Sequence, residues 1–200
     1  MDISTNILSI LLHSSKTERN IQSANFALIS DVDWECLYNI SAWQGVLAIV
    51  WNAIDTLADE GQLTSKQMPD KALKLQWALS VENIENRYRK QSVLARELAQ
   101  IYCENGIKTI VLKGLALSGY YPIPEHRECG DLDCFLVKSD NTQQCNAISV
   151  NTSGLPVSCY DEGNRVAKEV GADVKIGFYK HSHIHYKDLM VRQQFLIHVN

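Results

Sequence analysis

The stretch 127-RECGDLDCFLVK-138 decides how the second half of the chain is read. Asp131 and Asp133 stand one residue apart at the start of an apolar run. In an extended chain alternate side chains share a face, which puts Asp131, Asp133, Phe135 and Val137 on one side and Leu132, Cys134 and Leu136 on the other. A carboxylate set against a core must be paired or must hold a cation. Two carboxylates within reach of one ion suit a hard divalent metal, Mg²⁺ or Mn²⁺, which takes oxygen ligands and fills its shell with water and phosphate oxygens. A D-x-D pair also arises often by chance on solvated or capping segments. Its neighbours must therefore decide.

Upstream, IKTIVL at 107–112 is β-branched and apolar, the composition of a buried strand. KGLALSGYY follows as a turn into a short helix, closed by Pro122 and Pro124. Gly114 permits close backbone approach, the start of the next helix offers free N–H groups to a phosphate, and Lys113 and Arg127 add positive charge. Strand, glycine turn, helix, then D-x-D on the next strand is a coherent site for a metal-bound nucleoside triphosphate.

Further upstream the pattern is helical. Trp34, Leu37, Ile40, Ala48, Trp51, Ile54 and Leu57 recur at helical spacing, with Gly45 and Gly61 as breaks and Asp31 or Asp33 as a cap. A long helix is expected from Lys71 to Asn105, with Ile84, Tyr88, Leu94, Leu98 and Ile101 as its apolar stripe and Gly106 as its stop. Trp34, Trp43, Trp51 and Trp77 are read as packing helix against helix. Downstream, a helix is expected over EGNRVAKEVG, then two strands in ADVKIGFYKHSHIHYKDLMV joined by a turn near Lys180. The fold class is α+β: a helical region over 1–105, then a small mixed sheet flanked by helices over 106–200.

Composition sets the outer limits. The chain has 200 residues, 46% hydrophobic and 21% charged, with a net charge of −4, which is ordinary for a globular protein. That balance lacks the basic footprint of a duplex nucleic-acid binder. The most apolar N-terminal run, ILSILL at 7–12, is too short to span a membrane and lacks the flanks of a signal peptide. The six cysteines form no CxxC pair, and the expectation is six reduced thiols in a cytoplasmic protein.

The segment VLKGLALSGYYPIPEHRECGDLDCFLV resembles the core of the DNA polymerase beta-type nucleotidyltransferase superfamily. More narrowly, it is similar to a bacterial branch of uncharacterised nucleotidyltransferase-like proteins. There a helical region precedes a strand ending in L-K-G, a helix with a Y-P segment, an Arg and a D-h-D strand. The resemblance covers 107–137 well and the helical half more loosely. It implies that Gly114 lies in the triphosphate turn and that Asp131 and Asp133 are the paired metal carboxylates. Lys113 and Arg127 would serve phosphate-binding or structural roles. The reaction implied is in-line attack by an acceptor hydroxyl, on a small molecule or protein, at the α-phosphorus, with release of pyrophosphate.

The sequence also departs from that pattern. Leu115 follows Gly114, where Gly or Ser is usual. The third carboxylate would fall near HSHIHYKDLMV, but Arg192 stands where the acid is expected. Asp188 or Asp173 could substitute, Asp188 being the nearer. Without a third acid, the chain would be a nucleotide-binding or interaction protein that kept the fold and lost catalysis. Asn200 follows soon after, so a truncated or degraded member is an open alternative. A third reading places Zn²⁺ on His181, His183 and His185, which alternate along an expected strand. Ser118, Tyr120 and Tyr121 have no base partner in the sequence, so no nucleophile triad is read.

Overall fold

A computed structural model describes residues 7–9, 12, 32–139, 149, 151–154, 156–176, 182–186 and 189–193, the last group by its backbone. The chain packs as two units. The first comprises Met1–Arg87 with Ser118–Glu128, and the second Tyr88–Leu117 with Cys129–Asn200.

The first unit is helical. Helix α1 (Trp34–Trp43) opens on Asp33, whose carboxylate accepts from the Cys36 backbone N–H at 3.0 Å. Helix α2 (Leu47–Asp59) buries Leu47, Ala48, Val50, Ala53, Ile54 and Leu57. These close on Trp77, Val81 and Ile84 from the first half of α3 (Lys71–Glu104), at i, i+4 and i+7. Trp77 is fully buried, its indole N–H donating to the Leu47 carbonyl at 3.1 Å. Its ring meets Tyr38 edge-on at 5.2 Å and Trp51 at 5.5 Å. Trp34 and Trp51 also pack against this core. Trp43 does not. As the last residue of α1, beyond the turn that buries Leu37 and Ser41, it is 87% exposed.

The second unit takes the remainder of α3, where Ala95, Leu98 and Tyr102 repeat the helical stripe. Gly106 stops the helix with a positive φ of 73°, its N–H bonding to the Cys103 carbonyl at 2.9 Å. The chain then enters β1 (Ile107–Leu112), α4 (Gly114–Ser118), a 3₁₀ turn (Pro124–His126) and β2 (Leu132–Lys138). Helix α5 (Tyr160–Glu169) precedes β3 (Asp173–Ile176), β4 (Ser182–Tyr186) and β5 (Leu189–Gln193). The region expected to hold two strands thus holds three, since Ser182–Tyr186 and Leu189–Gln193 pair as separate antiparallel strands.

The sheet order is β1-β2-β5-β4-β3. Its pairs are antiparallel except β2 with β5, so the sheet is mixed, as expected. One face, carrying Leu132, Cys134, Leu136 and Ile184, packs with Tyr102, Leu98, Val166 and Ala167 into the second core. No helix of the described residues is long and apolar enough to cross a membrane.

Cys103 is disulfide-bonded, which corrects the expectation of six reduced thiols. Cys36, Cys129, Cys134 and Cys159 are free. Burial, and secondarily the charge of Asp133, pushes the Cys134 thiol up from 9.0 to about 12. Burial, then Cys134, likewise raises the Tyr102 phenol above its ordinary range. Both groups are held neutral in the fold and ionise more readily once unfolded, so the folded chain retains protons that the unfolded chain loses. Their contribution is intact below 9.0, the ordinary thiol value, and is lost as pH rises toward 12. Thermal melts at pH 8 and pH 10 should show the decline, and Cys134→Ala should flatten it. An equal decline in that variant would assign the effect elsewhere.

Candidate active site

The site is built on the ends of β1 and β2 in the second unit. Antiparallel pairing sets Leu112 opposite Asp133, so the turn leaving β1 lies beside the acids. Asp131 is half-buried at the bend just before β2, one residue outside the strand expected to begin with it. The Asp133 side chain is only 9% exposed, and the Lys113 ammonium stands 3.5 Å from its Oδ2. Lys113 itself is 65% exposed, so most of its side chain is in water while its charge reaches the buried acid. The Lys113 backbone has a φ of 50°, the left-handed region that non-glycine residues seldom enter. Such strain persists where the surroundings fix the chain, here between a paired strand and a helix.

Gly114 follows directly. A Cβ built there would lie 3.4 Å from the Asp131 carbonyl oxygen and 3.7 Å from the Cys129 Sγ. The turn therefore lies against the segment that carries the acids, with room for little more than a methyl group. Gln91 on α3 holds the same segment from another direction, its amide donating to the Cys129 carbonyl at 3.1 Å and the Gly130 carbonyl at 3.3 Å. Gln91 is a positioning residue that the sequence does not signal, since one polar residue on a polar helix face looks like its neighbours. Gly114→Ala should leave the melting temperature nearly unchanged, because its single methyl makes ordinary contact. Gly114→Val should displace the Asp131 segment and weaken Mg²⁺-nucleotide binding roughly tenfold or more, readable by calorimetry. Full affinity in the valine variant would sink this packing role.

Arg127 belongs to the first unit, where its Nη1 donates to the Glu128 carbonyl at 3.2 Å and its guanidinium lies 5.9 Å from the Tyr121 ring centroid. Asp188 and His181 lie outside the described residues. Asp173 sits on β3, exposed and 3.7 Å from Lys175. Arg192 is the direct register partner of Asp133 in the parallel pair β2–β5. Next to the second acid the strand register thus sets an arginine. Among the described residues no group of three His, Cys, Asp or Glu side chains is placed to hold a metal ion. His183 is exposed and His185 half-buried on β4.

What the geometry brings together is the Asp133 carboxylate, the Lys113 ammonium 3.5 Å from it, and a glycine turn lying against the Asp131 backbone. The model of one family, described as "Uncharacterised nucleotidyltransferase", matches residues 30–190, which include α1 to α5, β1 to β4, the first two residues of β5 and both acids. No curated protein and no solved structure matches the chain. With the greater part of its length matched, the chain belongs to the uncharacterised nucleotidyltransferase family.

Proposed function

We propose that the chain transfers a nucleoside monophosphate from a nucleoside triphosphate to a hydroxyl of a small-molecule or protein acceptor, with Mg²⁺ or Mn²⁺ as cofactor. The observation that carries this reading is the pairing of Asp133 with the strand that delivers Lys113 and Gly114. The donor set fits the metal: carboxylate oxygens on residues i and i+2, one of them mostly withdrawn from water. Asp131 and Asp133 would hold it, and a metal bound there would neutralise charge on the triphosphate and stabilise the leaving oxygen. Lys113 holds its positive charge beside Asp133 and, on a long exposed stem, can serve phosphate oxygens as well. Gly114 and Gln91 keep the segment carrying Asp131 in place.

The test is equilibrium binding of each nucleoside triphosphate with Mg²⁺, followed by label transfer from α-³²P nucleotides into a cell extract. Transfer by one nucleotide supports the reading; no binding at millimolar concentration removes it.

One observation favours a second reading, a nucleotide-binding protein without transfer activity. An arginine cannot serve as a general base, and Arg192 is registered beside Asp133. Arg192→Glu separates the two readings. If the natural protein is inactive for want of an acid there, the variant should gain label transfer. If Arg192 belongs to a working site, the variant should transfer less than the natural chain.

A further inference from the structure

A cavity of about 390 Å³ lies within the first unit. Small-molecule pockets run from about 300 to 1,000 Å³, so this one has room for a single small ligand. One wall is the start of α2, where Val46, Ile49 and Asn52 recur every three residues, turned away from the Leu47, Val50 and Ile54 side that fills the core. The segment from Tyr120 to Ile123 supplies another wall, together with His126 of the 3₁₀ turn. Most of this lining is aliphatic or aromatic. Among the described residues no Lys, Arg, Asp or Glu lines it. A phosphate, carboxylate or ammonium group entering there would lose its water and meet no counter-charge. The cavity favours an uncharged occupant.

Its polar groups are few. His126 is 7% exposed, and its Nε2 lies 3.2 Å from the Glu85 Oε1. A carboxylate only accepts, so Nε2 donates, and in the neutral imidazole Nδ1 is then an acceptor. Nδ1 has no hydrogen-bond partner among the described residues, and neither has the half-buried Asn52 carboxamide. Asn52 offers one donor and one acceptor in a single plane. Tyr120 lines the cavity yet is 85% exposed, which puts its ring at the mouth with a face free to stack. From these groups we infer that the cavity binds an uncharged, planar heteroaromatic molecule whose ring edge carries an N–H donor beside a ring-nitrogen acceptor. That edge pairs with Asn52 and His126, the ring lies against Val46 and Ile49, and Tyr120 covers part of it at the mouth. All of these residues belong to the first unit, whereas Asp131 and Asp133 belong to the second, and the inference does not rest on nucleotidyl transfer.

The experiment titrates three small molecules into the full chain and reads their affinities by ligand-observed NMR. 7-Azaindole carries the required edge. Indole keeps the ring and the N–H but lacks the acceptor, and benzoate is a planar anion. 7-Azaindole should bind roughly fivefold more tightly than indole, the scale of one added hydrogen bond, and benzoate should bind least. Asn52→Leu should bring 7-azaindole down to the level of indole while the melting temperature stays near that of the natural chain, since the amide holds nothing in the fold. Ile49→Trp should fill the cavity and abolish binding of both rings. If that variant does not fold, Asn52→Leu decides alone. Equal affinity for 7-azaindole and indole, a preference for benzoate, no binding of any probe, or an undiminished preference in Asn52→Leu overturns the inference.

Discussion

Asp133→Asn should abolish Mg²⁺-dependent nucleotide binding and reduce label transfer at least a hundredfold, roughly the scale of losing a group that stabilises charge at the reacting phosphate. The amide keeps the shape of the carboxylate but loses its negative charge, and with it most of its capacity as a hard-metal ligand. The side chain is almost enclosed and its neighbour Lys113 is mainly in water, so the fold should tolerate the exchange. Melting temperature should therefore stay close to that of the natural chain while function is lost. Nucleotide affinity measured in EDTA should be equal in the two proteins, and only the increment supplied by Mg²⁺ should vanish. Asp131→Asn should act in the same direction. Retention of the Mg²⁺ increment in both variants would sink the assignment of the acid pair.

The largest stability effect is expected at Trp77. Truncation to alanine removes a fully buried indole, its hydrogen bond to Leu47 and its contacts with Tyr38 and Trp51. Aromatic truncations of this kind cost about 3–5 kcal/mol. Trp43→Ala is the matched control: it removes the same side-chain type from an exposed site, and the change should stay within about 0.5 kcal/mol. All four tryptophans lie in the first unit, so urea titration followed by indole fluorescence reports that unit specifically. Comparable losses in the two variants would contradict the core described here.

The contrast between these tryptophans shows where sequence reading reached its limit. Helical spacing places Trp51 correctly because it has apolar neighbours a turn away on both sides. Trp43 ends its helix, and no later residue of α1 continues its stripe, so residue type alone misassigns it. Gly106 and the D-x-D pair were legible because their constraints are local: a left-handed stop, and alternation along one strand. The pairing of β2 with β5 was not. It joins residues about sixty apart in the chain, and nothing near Asp133 encodes which strand lies beside it. The third strand of the C-terminal segment was hidden because Tyr186 and Leu189 are separated by only two residues, too short a break to interrupt an apolar pattern. Gln91 shows the same limit in the site, since its role depends on a loop 38 residues away.

The division of the chain into units also sets an order of events during synthesis. The first unit includes Ser118–Glu128, which brings His126 to within 3.2 Å of Glu85 and Glu128 to within 2.8 Å of Arg87. Its hydrophobic core draws on residues no later than Ile84, but these two contacts must wait until residue 128 has emerged, and by then β1 has already been released without its partner β2. For that interval a β-branched strand stands unpaired, with both edges open to other chains. Slowed translation just after Glu128 would lengthen its exposure, and rapid delivery of Leu132–Lys138 would end it.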